Sequence, residues 1–520
     1  MNYFKKLTYA LSLLLVAGLI GCNDVLERVE PSTSVSGEVA LNSPDGVNSI
    51  RASMYSKIRA SFTMTTEYFV GPSALADETR NRGGSTRFQA LATAVGTSGT
   101  AHIGSFGPSF NIIQDANLLI GAVPEGVVPP ATLQRFRGEA YALRAFALHH
   151  SVRGLGYEPG NFEQGPEPNW DLGTVIRTEP VLDVADADLR PRSSVTDVYA
   201  QILDDLSEAK RLLSGTTDNT FVSEPFVDGL IARVNLYAGN WPQAAQAAQD
   251  AIDNFTGDLV DDRDGVAGMF FESEGNHPEA LFKLIVNPNT EGIGGSNVNN
   301  GLAAYTSTQW VAQIPTQFVM DLYEEDDFRI GSFVIDDETG EIALDQFGRR
   351  VYEGGWYQPC FNDQQNTVAG NCNANDDALS TNKWNGDKGN MADDIPYMRV
   401  AEMYLIRAEA LAKASGNPLD GVGPLNTLRN ARGLDNIEVA NPAALLSLEA
   451  FEDEILNERV RELVVEGHRF WDLKRLGRDI RNPDGSLKMS SDAFRILAPL
   501  GTNELNTNEL LRQNPGYTGF

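Results

Sequence analysis

The stretch EDEILNERVRELVVEGHRFWDLKRLGR, residues 452–478, decides how the rest of the chain is read. Leu456, Val460, Leu463, Phe470 and Trp471 recur at near-helical spacing, which predicts one long helix with a buried face. The other positions are dense in charge of both signs. Glu458, Arg459, Arg461, Glu462, Glu466, Arg469, Asp472 and Arg475 stand at intervals that let carboxylates and guanidiniums meet along the helix or reach neighbouring helices. Glu458 and Glu462 could be offered as a catalytic acid pair, but a helix studded with arginines favours salt bridges, so the stretch is read as a structural clasp.

Outward from the clasp, the chain is mostly amphipathic helix. Val47, Ile50, Met54 and Ile58 mark a helix over about 43–58, with Phe110 to Ile120 as its partner. Leu133 to Leu155 is a strong helix built on Phe136, Ala140, Leu143 and Ala147, and a helix through Val198, Ile202, Leu206 and Leu213 is capped by Ser194 or Thr196. Val227 to Tyr237, the turn Ala238-Gly239-Asn240-Trp241, and Ala244, Ala248, Ala251 and Ile252 form a helical hairpin of tetratricopeptide type. A second hairpin opens at Met398, breaks at Ser415-Gly416-Asn417-Pro418 and returns through Leu425, Leu428 and Ala431. Such hairpins need neighbours to cover their apolar faces, so several should stack.

Two segments differ. Residues 70–107 carry Ala76-Asp77-Glu78-Thr79-Arg80-Asn81-Arg82 and then Gly, Ser and Thr-rich sequence, the composition of either a functional loop or a disordered one. Residues 256–394 form an insert with a strand near Leu281 to Val286, a short helix over Gln317 to Tyr323, short strands near Phe333 to Ile335 and Arg350 to Tyr352, and half of the six tryptophans.

At the N-terminus, Lys5 and Lys6 precede the apolar run Leu7 to Ile20, too short for a comfortable spanning helix, which ends in Leu19-Ile20-Gly21-Cys22. This reads as a signal peptide over 1–21 and a lipobox, with Cys22 as the lipid anchor holding the protein to a membrane. Export to oxidising surroundings makes a disulfide between Cys360 and Cys372 possible. A net charge of −30 excludes a nucleic-acid surface as the main function. No zinc spacing relates the five histidines to the cysteines, and Asp262-Arg263-Asp264-Gly265 fails as an EF-hand because Val260 and Phe271 occupy ligand positions. Neither metal nor cofactor is expected, and no P-loop or nucleophile elbow is present.

Glu458-Arg459, Glu462, Glu466-Gly467, Arg469, Asp472-Leu473 and Arg475 resemble the C-terminal pattern of the SusD/RagB family of outer-membrane nutrient-binding lipoproteins. Arg137 to Phe146, Arg190 to Val195, Asp327-Phe328-Arg329 and Arg512 to Tyr517 resemble family segments in the same order, so the likeness runs from Cys22 almost to the last residue. It implies a mainly α, SusD-like fold: about four tetratricopeptide-like helix pairs over roughly 43–255 and 395–480, packed against a loop-rich insert with few short strands, as one domain over 22–520. It also implies a protein facing the cell exterior that binds an oligosaccharide or polysaccharide, performs no chemistry, and passes its ligand to a SusC-like TonB-dependent transporter. Sugar rings ask for aromatic platforms with polar edges, so Arg80, Asn81, Trp310, Trp356, Tyr357 and Trp384 are the candidate ligand residues, the alternative for each loop tryptophan being that it packs under its own loop, whereas Trp241 and Trp471 on the scaffold are expected in the core. A repeat scaffold for a protein partner and an outer-membrane glycan hydrolase are the alternatives.

Overall fold

A computed structural model describes residues 40–59, 66–82, 85–94, 107–183, 187–270, 277–287, 289, 302–306, 311–336, 338–341, 343, 352–359, 379–384, 386, 388–389 and 392–517. The signal segment, Cys22, Trp310, Cys360 and Cys372 lie outside them.

The scaffold is a stack of helices taken in chain order: α1 (Pro44–Arg59), α2 (Gly107–Gly121), α3 (Pro130–Leu155), α4 (Val195–Leu213), α5 (Glu224–Tyr237), α6 (Trp241–Asn254), α7 (Val400–Ser415), α8 (Val422–Ala431) and α9 (Leu448–Leu463). α1 packs on α2, α2 on α3, α3 on α4, α5 on α6, α6 on α7, and α7 on both α8 and α9. Small side chains set these distances. A Cβ added at Gly138 of α3 would meet Leu213 Cγ of α4 at 2.7 Å, and Ala244, Ala248 and Ala251 of α6 are fully enclosed. Ser194 caps α4 by accepting from the Asp197 amide at 3.0 Å, and Gly416 ends α7 with φ +76°. Buried ion pairs add register: Arg144 on α3 clamps Asp205 on α4 through two hydrogen bonds of 2.8 and 2.5 Å.

The clasp is not one helix. α9 stops at Leu463, Val465 (φ +54°) and Gly467 (φ +78°) turn the chain, and a second short helix, α10 (Arg469–Arg475), follows. The turn is fixed by close approach, since a Cβ at Gly467 would collide with the Tyr68 carbonyl. Apolar spacing survives the break because both pieces face the same core, in which Val460, Val464, Val465, Phe470 and Trp471 all lie.

The strands are short and paired in twos. β1 (Thr79–Asn81) runs antiparallel to β3 (Gln313–Pro315), β2 (Ala280–Leu284) to β6 (Ile395–Arg399), and β4 (Tyr357–Pro359) to β5 (Leu379–Thr381). Every residue of β2 and β6 is buried. β6 leads directly into α7, so Met398, expected within the second hairpin, belongs to a strand beneath the scaffold. One apolar cluster extends from Leu41 to Leu497, and a smaller one fills the space between α7, α8 and α9.

Candidate functional site

The densest group of ionisable side chains is where the insert meets the clasp. Six carboxylates (Glu279, Asp327, Glu454, Glu458, Glu462 and Glu466) face six cations (Arg329, Lys383, Arg399, Arg429, Arg432 and Arg461), all buried. Glu462 accepts four charged hydrogen bonds of 2.8 to 3.0 Å from Arg329, Arg399 and Arg432. Burial alone would raise the Glu458 carboxyl, but Arg461, Arg329 and Arg429 outweigh it and hold the group at about 2. The Glu462 carboxyl is likewise held well below its ordinary range. A second group joins Arg459 to Asp472 at 2.7 Å, and Arg475 to Asp472 at 3.0 Å and to Glu409 at 2.6 Å. A general acid needs a proton near neutral pH and access to a substrate. Glu458 and Glu462 have neither, so they are structural, in keeping with the salt-bridge reading of the clasp.

The loop tryptophans close this ionic cluster instead of facing solvent, which corrects the expectation that Trp356, Tyr357 and Trp384 line a ligand surface. Trp356 and Trp384 are 0% exposed. Trp356 donates its indole N–H to the Val266 carbonyl at 2.7 Å, and the Lys383 ammonium lies 4.3 Å from its ring centroid. Trp384 meets Phe69 edge-on at 5.4 Å. The Tyr357 hydroxyl pairs with that of Tyr323 at 2.7 Å, and Tyr323 donates to the Arg461 carbonyl at 2.6 Å. The physical reason is the β4–β5 ladder, which folds both loops onto the clasp, with Gly355 seated so closely on Ile330 and Gly331 that no side chain would fit. Lys383 donates to the Glu462 carbonyl at 2.7 Å and to Glu466 at 2.6 Å.

Arg80 and Asn81 separate into two roles. Along β1, Thr79 and Asn81 point to one side, where the Gln313 amide accepts from Thr79 Oγ1 at 3.0 Å and donates to Asn81 Oδ1. Asn81 also donates to the Ser85 carbonyl at 2.8 Å, so its amide is used in holding the loop. The Arg80 side chain, on the opposite side, is partly exposed and makes no hydrogen bond or ion pair among the described residues. Arg82 returns inward and donates to the Val311 carbonyl at 3.1 Å. The short helices Gln89–Ala92 and Leu302–Thr306 pack beside this ladder.

Phe88 is a residue of this face that sequence reasoning missed. It is partly exposed, holds φ +58°, and meets Tyr305 edge-on at 5.2 Å. A bulky residue in the left-handed region is strained and persists where its surroundings over-determine it. Its signal, a lone aromatic in a polar loop, was in the sequence but was outweighed by the tryptophan-bearing loops. Beneath the face, burial pushes the Glu78 carboxyl up to about 7, although Ser73 and the cations Arg469 and Lys383 favour its ionised form.

Trp241 also departs from expectation. Of the two scaffold tryptophans expected in the core, only Trp471 is enclosed. Trp241 opens α6 on the rim of a cleft of about 590 Å³ and remains partly exposed. Its place in a repeat hairpin masked this, because the residue after the turn can face either the neighbouring helix or the hairpin tip.

Residues 278–517 match the sequence profile of the SusD family. The chain is 25% identical to SusD-like protein P38 of Formosa agariphila over 543 aligned positions, covering 99% of this chain and 100% of that protein. It is 32% identical over 132 positions to the starch-binding protein SusD of Bacteroides thetaiotaomicron, a match covering 24% of this chain and 22% of that one. Among solved structures, a SusD superfamily protein from B. thetaiotaomicron superposes with a TM-score of 0.69 at 21% identity, covering 90% of this chain and 99% of the other. A SusD-like carbohydrate binding protein from Bacteroides vulgatus gives 0.68 at 19% identity, covering 91% and 99%.

Proposed function

We propose that this chain, whose residues 278–517 match the SusD family profile, is a SusD-like, lipid-anchored outer-membrane protein that captures an oligosaccharide or polysaccharide at the cell exterior and delivers it to a SusC-like TonB-dependent transporter. The observation that carries the capture role is the contrast between two regions. The clasp closes its carboxylates on the buried arginines around it, whereas the β1–β3 face leaves the Arg80 guanidinium without an ion pair among the described residues, and the loop after β1 carries a partly exposed aromatic, Phe88. A guanidinium donates to several hydroxyls at fixed angles and an aromatic face meets the C–H side of a sugar ring, so such a surface binds without needing a reactive group. Outer-membrane attachment rests on Cys22 at the end of its apolar run, and transporter delivery on the family relationship.

The test is an affinity screen of the soluble chain, lacking residues 1–22, against neutral and acidic oligosaccharides, with Arg80→Ala as the companion variant. Binding to at least one glycan class, weakened tenfold or more by Arg80→Ala, is the expected result. Absence of binding across the screen refutes the capture role, as does turnover of a glycan that disappears with a single carboxylate substitution. Co-purification of the full-length protein with an outer-membrane barrel tests the delivery step.

A further inference from the structure

The Trp241 cleft shares no lining residue with the β1–β3 face. Its walls are the tip of the α5–α6 hairpin (Tyr237, Gly239 and Trp241), the segment around Asn161 and Gln164, the side chains of Lys413 and Glu452, and the end of α10. Two side chains pin the 159–164 segment in place: Asn161 donates to the Arg475 carbonyl at 3.1 Å, and Gln164 donates to the Ser491 carbonyl at 2.8 Å. At the hairpin, Gly239 holds φ +71°, and a Cβ there would lie 3.7 Å from Trp241 Cζ2, so the turn sits against one edge of the indole. The Lys413 ammonium lies 4.7 Å from the ring centroid.

The charges lining this cleft are paired locally, except the exposed Glu163 on its wall, which has no ion pair among the described residues. Lys413 pairs with Glu452 at 2.6 Å and with Glu409 at 3.2 Å, and Arg475 pairs with Glu409 at 2.6 Å. A phosphate or carboxylate ligand would have to displace a partner already in place, and a cation would find only the exposed, water-screened carboxylate of Glu163. A purely apolar ligand would strip water from those paired groups, which is costly. What remains is a neutral molecule with one apolar face for the indole and hydroxyls for the polar rim, which describes a sugar ring. About 590 Å³ falls within the usual range for small-molecule sites and accommodates one or two such rings.

We propose that the cleft at the Gly239–Trp241 hairpin is a second saccharide-binding site for a neutral mono- or disaccharide unit, stacked on Trp241 and separate from the β1–β3 face. The assignment rests on the reading of this chain as a saccharide-capture protein. Two such sites let one protein hold a glycan chain at two points, or hold two chains, and raise avidity without strengthening either contact.

Titration calorimetry with neutral hexasaccharides (α-1,4-gluco-, β-1,4-gluco-, β-1,4-xylo- and β-1,4-manno-hexaose) tests this, with hydrogen-exchange mapping of the same complexes. The expected result is two sites in the parent protein and protection of residues 159–164 and 236–241. Trp241→Ala removes one site or weakens it at least tenfold, leaving the other affinity unchanged. Should Trp241→Ala unfold the hairpin, Glu163→Trp supplies the second variant: Glu163 is exposed on the cleft wall, and an indole there obstructs the mouth without touching the core. A single site unchanged in both variants, with no protection at the cleft, overturns this proposal and leaves the capture role standing. No binding of any sugar by the parent protein overturns the capture role and this site with it.

Discussion

Glu462→Ala is the sharpest probe of the clasp. The carboxylate is fully enclosed and receives four hydrogen bonds from three guanidiniums, so its removal leaves the balanced cluster with one uncompensated positive charge. Each arginine keeps some support: Arg329 retains Asp327 and Glu458, Arg399 retains Glu279 and Glu466, and Arg432 retains Glu279 and the Val260 carbonyl. Breaking a buried pair by deleting one partner costs about 3–5 kcal/mol, and the retained partners place this variant toward the lower figure. An unfolding entropy of roughly 2 cal/mol/K per residue gives about 1 kcal/mol per kelvin for a chain this long, so Tm should fall by ~3–5 °C. The control is Glu208→Ala, which deletes an exposed partner of Arg211 and should cost less than ~0.5 kcal/mol. Differential scanning calorimetry reads both. The sign of the pH effect follows from the lowered folded pKa of Glu462: the stability it contributes is complete above about pH 4.3, the ordinary carboxylate value, and is lost as pH falls through the folded value. The difference in Tm between parent and Glu462→Ala must therefore be full at pH 7 and shrink in strong acid. A loss below about 1 °C at pH 7, equal to the surface control, refutes the closed buried network.

Trp356→Ala should act on folding and not on a ligand surface: removing an enclosed indole costs ~3–5 kcal/mol, read as a lowered urea midpoint, while sugar affinity of the folded fraction stays within twofold. Glu78→Gln should flatten the pH dependence of stability. Its folded pKa is raised to about 7, so its contribution is present below the ordinary carboxylate value and lost as pH rises through 7; the variant should melt higher than the parent at pH 8 and not at pH 4, by thermal denaturation at both. Gly467→Ala should destabilise by more than about 2 kcal/mol, since it combines a left-handed backbone with a collision against Tyr68, and circular dichroism of the purified variant checks this.

The helical scaffold was legible because its signals are local. Alanine and leucine at three- and four-residue spacing, Gly-Asn turns and a serine cap each determine backbone geometry over a few residues, and α3, α4, α6 and α7 all follow them. The break after Leu463 was not legible, because Val-Val-Glu-Gly differs little from helix-compatible sequence; the left-handed turn is imposed by the Tyr68 carbonyl, nearly 400 positions away in the chain. The six-against-six balance of the ionic cluster was half visible. Four of its six acids and Arg461 lie in the quoted stretch, but Arg429 and Arg432 come from α8 and its end, Arg399 from β6, and Glu279, Asp327, Arg329 and Lys383 from an insert whose path no periodicity describes.

The tryptophans show why a binding site is harder to read than a fold. Composition places Trp356 and Trp384 in polar, glycine-containing loops and Trp241 in a helical repeat, so the loop residues look exposed and the scaffold residue looks buried. Burial is decided by what lies across from each ring. Gly355, next to Trp356, serves close backbone packing against Ile330 and Gly331, which brings the loop down onto Lys383 and seals the charged cluster with indole. Water would weaken those ion pairs, so the aromatic walls and the buried charges support each other. At the hairpin tip Trp241 is only partly covered, by the edge of the core and the Lys413 ammonium, and the ring borders a cleft. The same residue type therefore seals the joint between insert and scaffold at one place and faces open space at another, and only the partner elements distinguish the two.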